Sequence, residues 1–246
     1  MTAITEATNA LGGDEHEPIH RTLRPRDAAT LILIDRTHAK PRVLLGRRHH
    51  GHTFMPGKFV YPGGRVEPQD RMVPAAGALD RRIEARLMQR AHRPSAVKAR
   101  AFGIAAIREV AEETGLLVGR KTTEPQALPD GPWSVFTEAQ VQPDLGVLHF
   151  IARAITPPGP PRRFDTRFFA TDASAIAHRI EGVIGPDSEL VELVWMSIEE
   201  AQRHDLARIT RAVLGELERR IAAGFGHDLP VPFYRMLHRK PTRVYL

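Results

Sequence analysis

Apolar residues fall into short blocks with two different periods. Ala28–Ile34 is an apolar run interrupted only by Thr30, partly β-branched, and it predicts a buried strand. Pro41–Arg47 predicts a second strand, paired with the first in a hairpin through a turn near Arg36–Lys40. Phe59-Val60-Tyr61 predicts a third, stopped by the breaker Pro62-Gly63-Gly64. The period then changes. Leu79, Ile83 and Leu87 recur every fourth residue with Met88 beside them, which predicts a helix within 71–94, ended by Pro94. Ser95 stands as an N-cap for a helix over Ala96–Thr114, and Gly115 as its left-handed stop. Residues 119–144 read mainly as loop. Strands are expected over Val147–Thr156, Arg163–Ala170 and Leu190–Trp195, with Pro157–Pro161 as a stiff connector. Ser197 and Glu200 have capping-box spacing at a helix start. Ile209–Ala223 predicts an amphipathic C-terminal helix. Residues 1–24 lack this periodicity and read as a mobile arm, leaving 25–246 as one domain. No repeat is visible.

Composition narrows the function classes. The chain has 246 residues and no Cys, which removes disulfides, thiol catalysis and Cys-based zinc sites. No apolar stretch reaches the roughly 20 residues of a membrane span, and the N-terminus does not read as a secretory signal. A cytoplasmic enzyme or binding protein is expected. The net charge is 35 − 29 = +6, and most of the basic residues are Arg. Arg suits phosphate and carboxylate, and a basic chain permits nucleic-acid binding. Homodimer formation stays open.

One segment carries chemistry. In Arg108-Glu109-Val110-Ala111-Glu112-Glu113-Thr114-Gly115-Leu116, Glu109, Glu112 and Glu113 share a helix face at i, i+3 and i+4. Like charges at that spacing repel by about 0.2–0.5 kcal/mol per pair. They also occupy the helix's last turns, where the dipole disfavours anions. No Lys or Arg follows within four residues to compensate. An external hard cation over the acidic face would account for the arrangement. From the acids alone, a solvated helix end explains it equally well. The full string decides between them, because chance would produce it on the order of once in ten thousand such chains.

The string resembles the second half of a Nudix box, Arg-Glu-aliphatic-x-Glu-Glu-x-Gly-aliphatic, and Gly64 matches the box's opening glycine. The position five residues on, where the family has Glu, is Asp70, whose role the comparison leaves open. Between Asp70 and Arg108 lie 37 residues where the family usually has seven, so a helical insertion over about 71–100 splits the box. The resemblance implies an α/β fold of the Nudix type, an α/β/α sandwich with a mixed sheet, carrying this insertion and a C-terminal helix. It implies a Mg²⁺- or Mn²⁺-dependent hydrolase of a nucleoside diphosphate linked to another moiety. Glu109 and Glu113 would be metal ligands, and Glu112 a ligand or the base. Arg108 would hold a box carboxylate, and a backbone carbonyl of Gly63 or Gly64 would complete the metal shell.

Outside the box, Glu189 is the candidate second acid and Glu192 its competitor. Arg47 and Arg48, followed by His49, His50 and His52, are candidate phosphate ligands. Leu44-Leu45-Gly46-Arg47-Arg48 and Gly57–Gly64 partly resemble the segment before the box in coenzyme A diphosphatases, with Phe54 where an internal Arg is expected. Phe54-Met55-Pro56, Val60–Gly64 and Arg163–Phe169 are more similar to the coenzyme A-cleaving Nudix branch with a long insertion. That makes coenzyme A or an acyl-CoA the expected substrate. ADP-ribose or a dinucleotide is the alternative, and a non-catalytic nucleotide- or RNA-binding module the alternative of another class. The insertion has eight basic residues against two acidic, and it is a candidate flap for an extra phosphate beside the site; a solvated helix face is the competing reading.

Overall fold

A computed structural model describes residues 23–51 and 56–246. The expectations for the remainder of the N-terminal arm, His52 and Phe54-Met55 lie outside the described residues.

The main sheet contains β1 (Arg26–Asp35), β2 (Arg42–Arg48), β7 (His149–Ile155), β8 (Phe164–Asp172), β10 (Leu190–Ser197), β11 (Pro232–Leu237) and β12 (Lys240–Tyr245). Their order is β10-β2-β1-β8-β7-β11-β12. Short strands β3 (Phe59–Val60) and β4 (Gly63–Arg65) attach to β2 and β1 respectively. β1–β8 and β7–β11 are parallel and the other pairs antiparallel, so the sheet is mixed. A small second sheet orders β6 (Val141–Pro143), β5 (Leu116–Lys121) and β9 (Ile176–Arg179).

Helices cover both faces of the main sheet. Leu31 and Leu33 of β1 join one core with Phe102, Ile104 and Ile107 of α2 (Ala96–Thr114). Ile32 and Ile34 join the opposite core with Val213, Leu214 and Leu217 of α5 (Arg208–Ala222). Alternation along one strand thus feeds two cores, and the expected α/β/α sandwich results. The remaining helices, α1 (Arg81–Met88), α3 (Ser134–Glu138) and α4 (Ile198–Ala201), are short.

Local signals placed α2 well. The Ser95 side chain accepts from the Lys98 N–H, and Gly115, at φ 74°, closes the C-terminus. The Ser197–Glu200 capping box also forms. Other expectations need correction. The helix within 71–94 is only α1, because the chain leaves helical geometry at Gln89. Residues 119–144 contain α3 and β6 as well as loop. The Gly doublet does not merely end β3: it forms β4, where a Cβ on Gly63 would come within 2.6 Å of the Ala29 carbonyl oxygen. The basic tail is the β11–β12 hairpin, hidden in the sequence by Pro232 and Pro241 and by a turn without Asn or Gly.

Candidate active site

The last turns of α2 lie directly against the Gly doublet. Gly63 pairs with Thr30 and Gly64 with Ala29 in the β4–β1 ladder. The Gly63 N–H donates to Glu113 Oε2 at 3.1 Å. A Cβ on Gly64 would stand 2.4 Å from Glu109 Oε1. Two segments that are remote in sequence therefore meet, the box carboxylates lying against the glycine backbone. At Gly63 the β1 backbone leaves no room for a Cβ, and at Gly64 a Cβ would displace the Glu109 carboxylate.

Arg108 organises the acids, and it is almost fully buried at 2% exposure. Its Nη1 donates to Glu109 Oε1 and to Glu112 Oε2, both at 2.9 Å. Its Nη2 donates to the Arg65 carbonyl at 2.8 Å. Nε and Nη2 form a fork on Asp70, at 3.0 and 3.1 Å. Asp70 is fully buried and also accepts from the Glu67 N–H at 2.7 Å, inside a capping box around a 3-10 turn. The sequence left the role of Asp70 open; the structure makes it the anchor of Arg108. The signal for it was the preserved spacing from Gly64, with Asp in place of Glu.

Glu189 and Arg48 complete the cluster. Arg48 Nη2 donates to Glu189 Oε1 at 2.5 Å. The charge of Glu189 disfavours ionisation of both Glu109 and Glu113, and Arg48 favours ionisation of Glu113. Arg47 is different. Along β2, Leu45 belongs to the core under α5, and Arg47, two residues on, shares its face. Arg47 binds Glu192 at 2.7 Å there, opposite Phe59, on the far side of the sheet from the acids. The expectation that Arg47 and Arg48 act together therefore fails on strand alternation, and Glu192 drops out with Arg47.

The far part of the expected basic flap lies away from the site. Gln89 and Arg90, just past α1, meet Arg153 through their carbonyls. His92 meets Lys98 near the start of α2. From Ser95 to Glu112 the helix rises about 25 Å. Arg90 and Arg93 are thus at the opposite end of α2 from the carboxylates.

Electrostatics at the site are unfavourable without a cation. Burial pushes the Glu109 carboxyl up to about 7, with Glu112 and Glu189 adding to the shift and Arg108 opposing it. Burial raises Glu112 as well. It raises Glu113 strongly, helped by Glu189 and Glu109 and opposed by the Gly63 N–H and Arg48. The cluster sets five carboxylates (Asp70, Glu109, Glu112, Glu113 and Glu189) against two guanidiniums. This all-oxygen, anionic donor set fits a hard divalent cation. Among the described residues, no group of three His or acidic side chains is already spaced to hold one. The reason is visible: Arg108 Nη1 engages both Glu109 and Glu112, which would have to turn outward.

A pH dependence follows. The Glu109 pKa is raised from 4.5 to about 7 by folding. Its contribution to stability is therefore complete below pH 4.5 and is lost as pH rises through about 7. For metal-free protein the loss is about 3 kcal/mol. The melting temperature should fall between about pH 5 and pH 8, and Mn²⁺ should restore it far more at the upper end. Scanning fluorimetry with and without Mn²⁺ checks this; an equal metal effect at both pH values contradicts it.

Comparison with known proteins fits the geometry. No family profile and no curated protein matches the chain. Among solved structures, a Nudix hydrolase from Alicyclobacillus acidocaldarius is 28% identical, over 79% of this chain and 91% of that one, with a TM-score of 0.58. The chain has the Nudix hydrolase fold. Weaker likenesses include the Nudix domain of Shewanella oneidensis NrtR in complex with ADP ribose, at 12% identity over 84% of this chain and 94% of that one, TM-score 0.45. A C. elegans Ap4A hydrolase is 14% identical over 80% and 99%, TM-score 0.40. Hydrolases of this fold generally use divalent ions such as Mg²⁺ or Mn²⁺. No helix among its described residues is long and apolar enough to cross a membrane.

Proposed function

We propose that this Nudix-type enzyme is a Mg²⁺- or Mn²⁺-dependent diphosphatase. Its substrate would be a nucleoside diphosphate linked to another moiety, with coenzyme A or an acyl-CoA as the compound cleaved. The observation that carries the reading is the juxtaposition of Glu109 and Glu113 with the Gly63–Gly64 backbone.

Glu109 and Glu113, with the Gly64 carbonyl, would hold the cation, and Glu112 would join them or act on water. The bound cation would neutralise the diphosphate and acidify a water. The chain's own residues do the positioning. Asp70 fixes Arg108, and Arg108 fixes the carboxylates of Glu109 and Glu112. Glu112, the most accessible box carboxylate at 37% side-chain exposure, is suited to take a proton from the attacking water. Glu189, held by Arg48, is the second acid able to do so. Arg48 would meet the anionic substrate from the same face.

The coenzyme A assignment is supported by the segments around Leu44–Arg48, Val60–Gly64 and Arg163–Phe169. It draws no support from Arg90 and Arg93. A substrate panel read by mass spectrometry, with Mg²⁺ and with Mn²⁺, tests it. Release of 3′,5′-ADP and phosphopantetheine from coenzyme A is the expected result. AMP from ADP-ribose, with coenzyme A untouched, overturns the substrate and keeps the diphosphatase. No cleavage of any diphosphate overturns both.

A further inference from the structure

Two basic segments separated by more than a hundred residues meet at the edge of the sheet that is remote from the acidic cluster. One is the turn after α1, with Arg90 and Arg93. The other is the β11–β12 hairpin, with Arg235 on β11 and Arg239 and Lys240 at its tip. Phe233 and Arg153 join them. The guanidinium carbon of Arg153 lies 4.3 Å from the centre of the Phe233 ring, and that of Arg235 lies 5.2 Å from it. Arg153 Nη1 in turn donates to the carbonyls of Gln89 and Arg90. Counting strands from β4 through β1, β8 and β7 to β11, the patch lies about 20 Å from the Gly doublet.

The acids nearby are already used. Asp165 takes a bidentate fork from Arg153 and a contact from Arg167. Asp80 is paired with Arg82. Arg90, Arg93, Arg235, Arg239 and Lys240 form no ion pair among the described residues. Burial and the neighbouring charges of Arg90 and Arg153 lower the Arg235 pKa, as expected for cations gathered without a counter-ion.

The backbone adds an independent argument. Six non-glycine residues among those described have positive φ, and four of them are Arg90, Arg93, His238 and Arg239. Each costs about 1–2 kcal/mol. His238 and Arg239, at φ 48° and 62°, form the two-residue turn between β11 and β12. A turn with positive φ at both positions favours Asn-Gly. Both turns instead carry basic side chains where local conformation disfavours them. Fold stability does not account for that choice, and strain of this kind clusters at functional positions.

We propose that this edge is an accessory surface for the phosphate backbone of single-stranded RNA. From Arg235 to Arg239 the hairpin covers about 13 Å. Such a length accommodates successive phosphates of an extended chain and exceeds a single headgroup. Forked guanidiniums suit phosphate oxygens better than ammonium groups do. Of the exposed large apolar side chains, Leu237 and Tyr245 stand at opposite ends of the hairpin and Val97 at the start of α2, separate residues and not the continuous apolar face that bilayer binding needs. The surface is independent of the carboxylate site, so neither assignment stands or falls with the other.

The test is fluorescence anisotropy of the full chain with a labelled, unstructured RNA of about 20 nucleotides. If Arg90, Arg93, Arg235 and Arg239 each neutralise a phosphate, the affinity should fall about 50-fold between roughly 50 and 200 mM salt. R90E/R93E should weaken binding at least 10-fold, halve the salt slope and leave diphosphate hydrolysis unchanged. Arg239→Gly supplies a control against unfolding. It should raise the melting temperature by relieving the turn, yet weaken RNA binding several-fold. RNA binding that is absent, or unaltered by these substitutions, overturns the proposal. So does charge-dependent binding to phosphatidylserine vesicles with none to RNA.

Discussion

Exchanging Glu112 for Gln should lower the turnover rate for diphosphate cleavage by about 10²–10⁴-fold, with the chain still folded. Gln keeps the volume and an oxygen that can accept from Arg108 Nη1, so the 2.9 Å contact survives in neutral form. What disappears is the ability to take a proton or bind a cation as an anion. Glu113→Gln should be as damaging to activity and should show a second signature. Burial and the charges of Glu189 and Glu109 oppose ionisation of Glu113, so its neutral replacement should raise the melting temperature of the metal-free protein near pH 8. A gain of about 1 kcal/mol would appear as roughly 2–4 °C. Loss of activity together with loss of the fold would assign Glu113 to stability instead. Calorimetry beside single-turnover kinetics separates these outcomes.

Asp70→Asn should cost about 3–5 kcal/mol of stability, the range for breaking a buried ion pair. Asp70 has no exposed surface, and Arg108 has 2%. With Asn the guanidinium keeps its charge in the interior, one of its two donors keeps an amide oxygen, and the other faces an NH₂ group that cannot accept. The melting temperature should drop by about 10 °C. Activity should fall as well, since Glu109 and Glu112 lose a fixed Arg108 between them. Asp70→Glu keeps the charge and adds one methylene, an overpacking cost of about 1–3 kcal/mol. It should therefore retain more activity than Asp70→Asn. Equal losses in the two variants would argue that packing, not charge, is what position 70 supplies.

Near-neighbour features were well legible. The caps of α2, the capping box at α4 and the acidic face of residues 109–113 depend on residues a few positions apart, and the apolar, partly β-branched run Ala28–Ile34 signals a strand by its own composition. Periodicity and cap chemistry report such spacings directly. Legibility failed where a strand borrows its stability from a partner. β4 is Gly-Gly-Arg, and nothing local makes it extended; its ladder with β1 does. β11 and β12 contain prolines and a basic turn, and they exist through their register with each other and with β7. Helix α1 erred in the other direction: Pro94 is the only stop the sequence shows, and the chain turns extended earlier, at Gln89, just after the last apolar position of the spacing.

The amino-acid order by itself determined that three carboxylates share a helical turn, that a glycine doublet exists, and that arginine supplies most of the positive charge. These are properties of spacing and composition, and every copy of the chain carries them before it folds. Tertiary structure decided which of them meet. It set Asp70 under Arg108 across 38 positions and brought Glu189 to the acids through Arg48. It sent Arg47 to the opposite face and carried the basic turn after α1 to the C-terminal hairpin. Sheet register and helix packing determine such encounters, and both depend on the whole chain closing around its two cores, which no local window of sequence contains.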